Sequence, residues 1–300
     1  MDALRLSLPL LASPLFPARP VARATKTALA IEIVNPLTDP TWDSDVARHP
    51  AATSFHTSAW ARVLHTTYQH RPSYLRATRD GELIGLFPLM EVETTFTPRR
   101  GICLPFSDYC GPLLFRSDAA SEVIDAAIRL GRQRQWRYLQ IRDSSVPGNG
   151  SPASAIYYGH ELDLRDGPEA VFARFASSVQ RAIRKAERSE VEVEISQEAA
   201  AMREFVSLHH QTRRRHGVPP QPDGFFSAIQ EQMLQSGGGF IAIARRRSQP
   251  LAAAVFFRSG KQATYKFAAS DRNSQELRAN NLVIWRAIEH LASSDVQRLH

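Results

Sequence analysis

Cysteine is nearly absent from this chain of 300 residues: Cys103 and Cys110 are the two present, and their spacing fits no zinc or redox signature. They read as reduced thiols, which excludes a disulfide framework and points to a cytosolic compartment. Histidine forms no metal array either. His209 and His210 are adjacent, so on a helix they point about 100° apart and cannot easily share an ion. No apolar run reaches the length that spans a membrane. There is no nucleophile elbow, no Walker lysine loop and no glycine-rich dinucleotide fingerprint. Gly237, Gly238 and Gly239 precede a strand pattern rather than opening a helix, and read as a turn. Together these absences set aside the metalloenzyme, serine-hydrolase, nucleotide-driven and membrane-spanning classes.

What is present is globular. The apolar fraction is 43% and the charged fraction 22%, ordinary values for a folded chain, and the length suits two domains. The formal net charge of +7 leans towards anionic partners such as nucleotide cofactors, tRNA or phospholipid precursors. Residues 5–17, RLSLPLLASPLFP, resemble a short signal core, with Ala22-Arg23-Ala24 as a small-x-small site. Asp2 in place of a basic start and two interrupting prolines favour an irregular extension over 1–30, with a secretory signal as the alternative.

The pattern then predicts a strand at 31–35, helices near 41–48 and 57–68, and β runs in PSYLRATR, ELIGLFPLMEVET and GICLPFSDYCGPLLF. Asp80-Gly81 between two apolar runs is a hairpin signal. A helix at 119–134 and a strand at 138–143 close a first domain over 31–145. Glycine, proline and serine in VPGNGSPAS make 146–158 a linker, and a second domain follows over 159–300. There a strand at 160–164 and one long helix over 168–188 are expected. A strand at 191–196, helices at 198–215 and 223–235, three strands, a helix near 280–293 and a last strand, VQRLH, follow. The order of elements repeats although the sequence does not, so the expectation is an α/β fold of two similar units.

Four segments carry candidate chemistry. In VQRAIRKAER (179–188), Arg181, Arg184, Lys185 and Arg188 fall at helical spacing and form one basic stripe. It is either a phosphate-binding strip or a solvated face. RRRH (213–216), which holds Arg214, ends a helix, where the helix dipole favours cations by about 0.3–1 kcal/mol each. In LPFSDYCGP (104–112), Pro105 and Gly111-Pro112 break the strand, leaving Asp108 and Tyr109 in an irregular piece of the kind that carries sites or makes structural turns. In ATYKFAASD (263–271), strict alternation puts Lys266 on one face with Thr264 and Ala268, and Tyr265, Phe267 and Ala269 on the other.

FSDYCGP, SVQRAIRKAER, TRRRHGVPPQP, YKFAASD and LRANNLVIWRAI, with NPLTDPTWD and FHTSAW near the start, resemble the FemAB-like branch of the GNAT acyltransferase superfamily. The resemblance runs from about Ile31 to the end. It implies an α/β fold of two tandem GNAT-like domains, each a mixed central sheet flanked by helices. It also implies transfer of an aminoacyl or acyl group from charged tRNA or acyl-CoA to an amino group. The acceptor would be a cell-envelope precursor such as a muropeptide or a lipid-linked amine. Neither a metal nor a bound cofactor is implied beyond the donor substrate. The expected location is the cytoplasm, peripheral to the inner membrane face.

On this resemblance Asp108 orients or deprotonates the amine, and Lys266 sits near the reacting carbonyl. Arg181, Arg184 and Lys185 hold phosphate; Tyr109, Arg214 and Tyr265 contact substrate. Acyl-CoA enzymes of the superfamily bind pyrophosphate through a Q/R-x-x-G-x-G/A loop at a helix N-terminus. The matching stretch here, with Arg278 and Asn281 as its cofactor-binding candidates, lacks both glycines. That favours a tRNA donor over acyl-CoA. The family pattern continues beyond His300, so the last strand is expected to lack a sheet partner. A non-catalytic binder of tRNA or an anionic lipid-linked precursor is the competing class.

Overall fold

The computed structural model describes residues 29–108, 110–142 and 154–300. Tyr109, most of the expected extension and the glycine-rich part of the expected linker lie outside the described residues. In the N-terminal half the order is β1 (Leu29–Val34), α1 (Trp42–Ala47), α2 (Ser58–Tyr68), β2 (Arg71–Pro72), β3 (Tyr74–Arg79), β4 (Glu82–Phe87), β5 (Met90–Thr94), β6 (Thr97–Ile102), β7 (Leu113–Leu114), α3 (Ala120–Gln133) and β8 (Leu139–Gln140). Pro88 cannot donate to a ladder and divides the expected 82–94 run into β4 and β5. Two four-stranded sheets result, ordered β1-β3-β4-β7 and β2-β5-β6-β8. Ser73 donates its N–H to Leu89 at 2.9 Å, so the sheets continue into each other through a bend. Asp80 and Gly81 have φ of +52° and +82°, the left-handed pair that a tight hairpin requires. The β5–β6 hairpin lacks that chemistry and is closed instead by Thr94 and Thr97, whose hydroxyls lie 2.7 Å apart.

The C-terminal half runs β9 (Leu162–Asp163), α4 (Gly167–Ala173), α5 (Ser177–Arg188), β10 (Glu192–Ser196), α6 (Ala199–Arg215), α7 (Asp223–Ile229), β11 (Gly239–Arg246), β12 (Gln249–Ser259), β13 (Gln262–Ser270), α8 (Ala279–Ala292) and β14 (Arg298–Leu299). The long helix expected over 168–188 is two helices. Ala176 is extended at φ −54° and ψ 142°, and the Gln180 amide reaches back to the Phe172 and Phe175 carbonyls at 3.3 and 3.0 Å. The break lets Phe172 and Phe175 both flank Trp285, with ring centroids 4.8 and 5.6 Å away. The six-stranded sheet is ordered β10-β11-β12-β13-β14-β9. β14 is therefore paired on both sides, parallel to β13 and antiparallel to β9, contrary to the expected unpartnered strand.

Each half contains a strand, a crossover helix and a parallel neighbouring strand: β6-α3-β8 and β13-α8-β14. One apolar cluster lies between the C-terminal sheet and α4, α5 and α8. The other does not respect the expected domain boundary. It joins the N-terminal sheets and α2 to α6, α7 and the opposite face of β11 and β12. Phe55 and Trp60 pack edge-on or tilted against Phe257 at 6.1 and 5.7 Å. Every one of these three rings is essentially without solvent exposure. No described helix is long and apolar enough to cross a membrane.

Candidate active site

β13 is where the alternation expected from sequence fails. Val255 pairs with Phe267 and Phe256 with Tyr265, so Lys266 is the extra residue of a β-bulge. The bulge re-aims two neighbouring side chains. Phe267 packs with the core shared by both halves and Tyr265 stacks on Phe256 at 5.2 Å on the α8 side, so these two do not share a face as expected. Ala268 lines the α8-side cavity with Tyr265, not a face with Lys266.

Lys266 turns instead towards the seam between the halves. Its ammonium lies 5.2 and 5.4 Å from the centroids of Phe55 and Phe267. It donates a 2.8 Å hydrogen bond to the Asp108 carboxylate. The lysine side chain is 7% exposed and the aspartate 52%, so one partner is inside the seam and the other at its mouth. Burial pushes the lysine pKa below its usual value, Asp108 pulls it back up, and the charge of Arg142 opposes Asp108.

Asp108 rides on a loop that several anchors hold. The Cys103 thiol contacts the Cys110 carbonyl, the Ser107 hydroxyl donates to the Leu104 carbonyl at 2.6 Å, and His56 Nε2 meets the Gly111 carbonyl at 3.1 Å. Leu104 and Phe106 have φ of +48° and +59°, costing on the order of 1–3 kcal/mol each. The expected strand ends at Ile102 because this conformation cannot continue it.

A second feature lies along the free edge of β13. β14 pairs with Gln262 and Ala263 only, and Tyr265 N–H reaches the His300 carbonyl at 2.7 Å. Beyond that point the edge opens into a cavity of about 270 Å³ between α6 and α8. Its floor is built of Ala253, Ala254, Ala268 and Ala269, and Thr212, Arg215, Tyr265 and Asn280 supply polar groups. A smaller cavity of about 130 Å³ adjoins it, sharing Ser270 and Asn280, at the N-terminus of α8. Arg278 and Asn281 both line the smaller one, beside Asp271 and Ser274. Arg278 takes the left-handed conformation, φ +59°, and its carbonyl accepts the N–H groups of Asn281 and Leu282.

The sequence candidates among the described residues thus fall into four places. Asp108 and Lys266 meet at the seam but do not line either cavity. Tyr265, Arg278 and Asn281 line the two cavities. Arg181, Arg184 and Lys185 stand exposed on α5, on the side away from Ile183 and Ala186, which bury against α8. No residue of α5 lines either cavity, so the stripe and the α8 N-terminus do not form one small-molecule site. Arg214 is exposed on α6, and the next residue, Arg215, faces the cavity instead, because one residue turns a helix by about 100°. Arg215 was singled out from sequence only as part of RRRH, and Thr212, Phe55 and Arg142 not at all; the helix spacing of Thr212 and Arg215 was the available signal. His209 and His210 bind Gln221 and Asp223, and no group of three metal-ligating side chains occurs among the described residues.

A family model described as an acetyltransferase (GNAT) domain matches residues 173–300. FemX has a similar structure, with TM-score 0.70 and 11% identity over 90% of this chain and 87% of that one. A conserved protein of unknown function from Bacteroides thetaiotaomicron gives TM-score 0.54 and 8% identity over 91% and 89% of the two chains. The C-terminal domain (DUF2156) of a candidate lysylphosphatidylglycerol synthetase from Agrobacterium fabrum gives 0.52 and 12% over 86% and 77%. None of the curated proteins matches. The fold is mixed α/β of the GNAT type.

Proposed function

We propose that the chain is an N-acyltransferase that moves an aminoacyl or acyl group from an activated donor to an amino group of a cell-envelope precursor. The observation that carries this reading is the Lys266–Asp108 pair, a buried cation and a half-exposed carboxylate in contact on a bulged strand of a GNAT-type fold. The amine nitrogen attacks the ester or thioester carbonyl carbon, and Lys266 donates to the developing oxyanion. Asp108 accepts the proton from the attacking nitrogen, and the donor's C–O or C–S bond then breaks with that proton returned to the leaving group. Neither step needs a covalent enzyme intermediate, a metal or a bound cofactor.

The α8 N-terminus favours aminoacyl-tRNA over acyl-CoA as donor. Ala279 is 4% exposed where a close backbone approach to pyrophosphate is wanted, and the Asp271 carboxylate shares the cavity. On this reading Arg181, Arg184, Lys185, Arg278 and Asn281 hold the donor, whose reacting carbonyl lies at Lys266, and Tyr265, Arg214 and Tyr109 contact substrate. A cytoplasmic protein working at the inner membrane face, built from two tandem GNAT-like units, fits these partners.

The α5 stripe also supports a second reading, a non-catalytic binder of tRNA or an anionic lipid-linked precursor. Arg181, Lys185 and Arg188 have no carboxylate partner among the described residues, and Glu187 is held by Arg286 at 3.0 Å. The test offers charged tRNA and acetyl-CoA separately, with an amine-bearing muropeptide precursor as acceptor. Product from charged tRNA alone supports the proposal, and product from acetyl-CoA alone moves the donor to acyl-CoA. Salt-dependent binding without product supports the second reading.

A further inference from the structure

Arg142 follows β8 and pairs through its backbone with Cys110 in a single antiparallel bridge. Its Nη1 donates a 3.0 Å hydrogen bond to the Ser107 carbonyl. Ser107 is 2% exposed, and both its hydroxyl and its N–H are turned onto the Leu104 carbonyl. The loop between Cys103 and Asp108 therefore carries two left-handed residues and is closed on itself. Strained backbone of this kind persists only where its surroundings over-determine it. Rings of α2 and α7 pack on Phe106, and Arg142 grips the loop's backbone from another element, one residue before Asp108.

We propose that Arg142 is a positioning residue: it fixes the Ser107 carbonyl so that Asp108 is presented to Lys266 and stays there during transfer. This rests on the Lys266–Asp108 reading above. Among the described residues, the charged groups that act on the ammonium are Asp108, in contact with it, and Arg142, through its charge. Phe55 and Phe267 present rings, His56 directs its imidazole to Thr53 and the Gly111 carbonyl, and His209 on α6 lies 6.4 Å beyond Phe267. Arg142 therefore acts on Lys266 in two opposed ways. Its own charge disfavours the ammonium, while the aspartate it positions favours it. A bystander arginine exerts only the first effect.

A side-chain NMR titration of Lys266 in the full chain separates the two. The chain has four lysines, Lys26, Lys185, Lys261 and Lys266, so Lys266→Arg identifies the resonance. The titration is run on wild type, Asp108→Asn, Arg142→Gln and the double variant. Asp108→Asn is expected to lower the Lys266 pKa. In that background Arg142→Gln is expected to raise it, by charge alone. With Asp108 present, Arg142→Gln raises it less or lowers it, because the partner is released. Equal shifts in the two backgrounds overturn the positioning role and leave the pair standing. No response of Lys266 to Asp108→Asn overturns the pair and the positioning role together. Circular dichroism and melting confirm the fold of each variant, and Arg142→Met repeats the cycle should Arg142→Gln unfold the chain.

Discussion

Lys266 and Asp108 stand 158 residues apart in the chain and meet at 2.8 Å across the seam between its two halves. The contact joins a bulged strand of one half to a strained loop of the other. Burial of Lys266 lowers its proton affinity below the usual value of 10.5, and Asp108 restores part of it.

This pairing sets a pH dependence of stability whose sign is fixed. Between the folded-state pKa of Lys266 and 10.5, the unfolded chain binds the proton more tightly, so stability rises with pH through that window. Asp108→Asn should cost about 1–2 kcal/mol near pH 7 by leaving a buried ammonium without its acceptor. The variant should regain more stability than wild type as pH rises, and Lys266→Met should abolish the rise. Urea midpoints at several pH values from 7 to 10 decide this, and parallel wild-type and Asp108→Asn curves would count against the pair. In the transfer assay, each substitution should lower kcat/KM by about 100-fold or more.

The β6–β8 pairing depends on a missing side chain. A Cβ added to Gly101 would sit 2.2 Å from the Trp136 ring, and the indole is tied to Glu91 by a 2.7 Å hydrogen bond. Glu91 is itself 4% exposed and cannot yield without losing that donor. Gly101→Ala should therefore destabilise by about 1–3 kcal/mol. A chemical denaturation midpoint equal to wild type would show that the ring moves freely.

Most of the elements were legible because their signals are local. The Asp80-Gly81 turn, the helix that stops before the left-handed Gly217, and the alternating strand at Glu192–Ser196 all follow from nearest neighbours. The features that escaped are tertiary. A β-bulge at Lys266 is set by the register of β12, and the break at Ala176 by the way Phe172 and Phe175 clasp Trp285. Asp108 and Lys266 were separately conspicuous, one in an interrupted strand and one a lysine among small residues, but their contact is a property of the seam. Arg215 rather than Arg214 faces the cavity because the helix phase is fixed by what α6 buries.

Acid should weaken the N-terminal half through two groups of opposite kind. Arg76 beside Asp39 holds its carboxyl down at about 2, so its stabilisation is present above the unfolded value of 3.8 and is lost as pH falls towards 2. His70 is pushed down to about 4 by burial and by the charge of Arg100, so folding resists its protonation and stability falls from pH 6.5 towards 4. Asp39→Asn should cost about 1 kcal/mol at pH 7, after allowance for solvent screening, and flatten the lower limb. His70→Gln should flatten the upper one. Melting curves between pH 2 and 7 separate the limbs.

The α5 stripe makes a salt-dependence prediction that does not depend on turnover. Arg181 and Lys185 are exposed on one side of the helix, and neither has a carboxylate partner among the described residues. Reversing both, as Arg181→Glu with Lys185→Glu, should weaken tRNA binding and lower the slope of log K against log salt by about 2. Thermal stability should stay within about 0.5 kcal/mol, since neither side chain contributes to the core. An unchanged slope would reduce the stripe to a solvated face.

The alanine floor of the larger cavity gives the most selective test of where the donor lies. Ala268 is exposed into that space, and the volume there is about 270 Å³. Ala268→Phe puts a ring into the cavity without disturbing the ladder, because the backbone of β13 stays paired to β12 through Ala254. If a part of the donor away from its reacting carbonyl occupies the floor, KM for the donor should rise at least about tenfold, while KM for the acceptor and the melting temperature stay close to wild type. Ala268→Gly leaves the space open and should keep both KM values, which guards against a backbone effect. A rise in acceptor KM alone would place the amine substrate, not the donor, beside Tyr265.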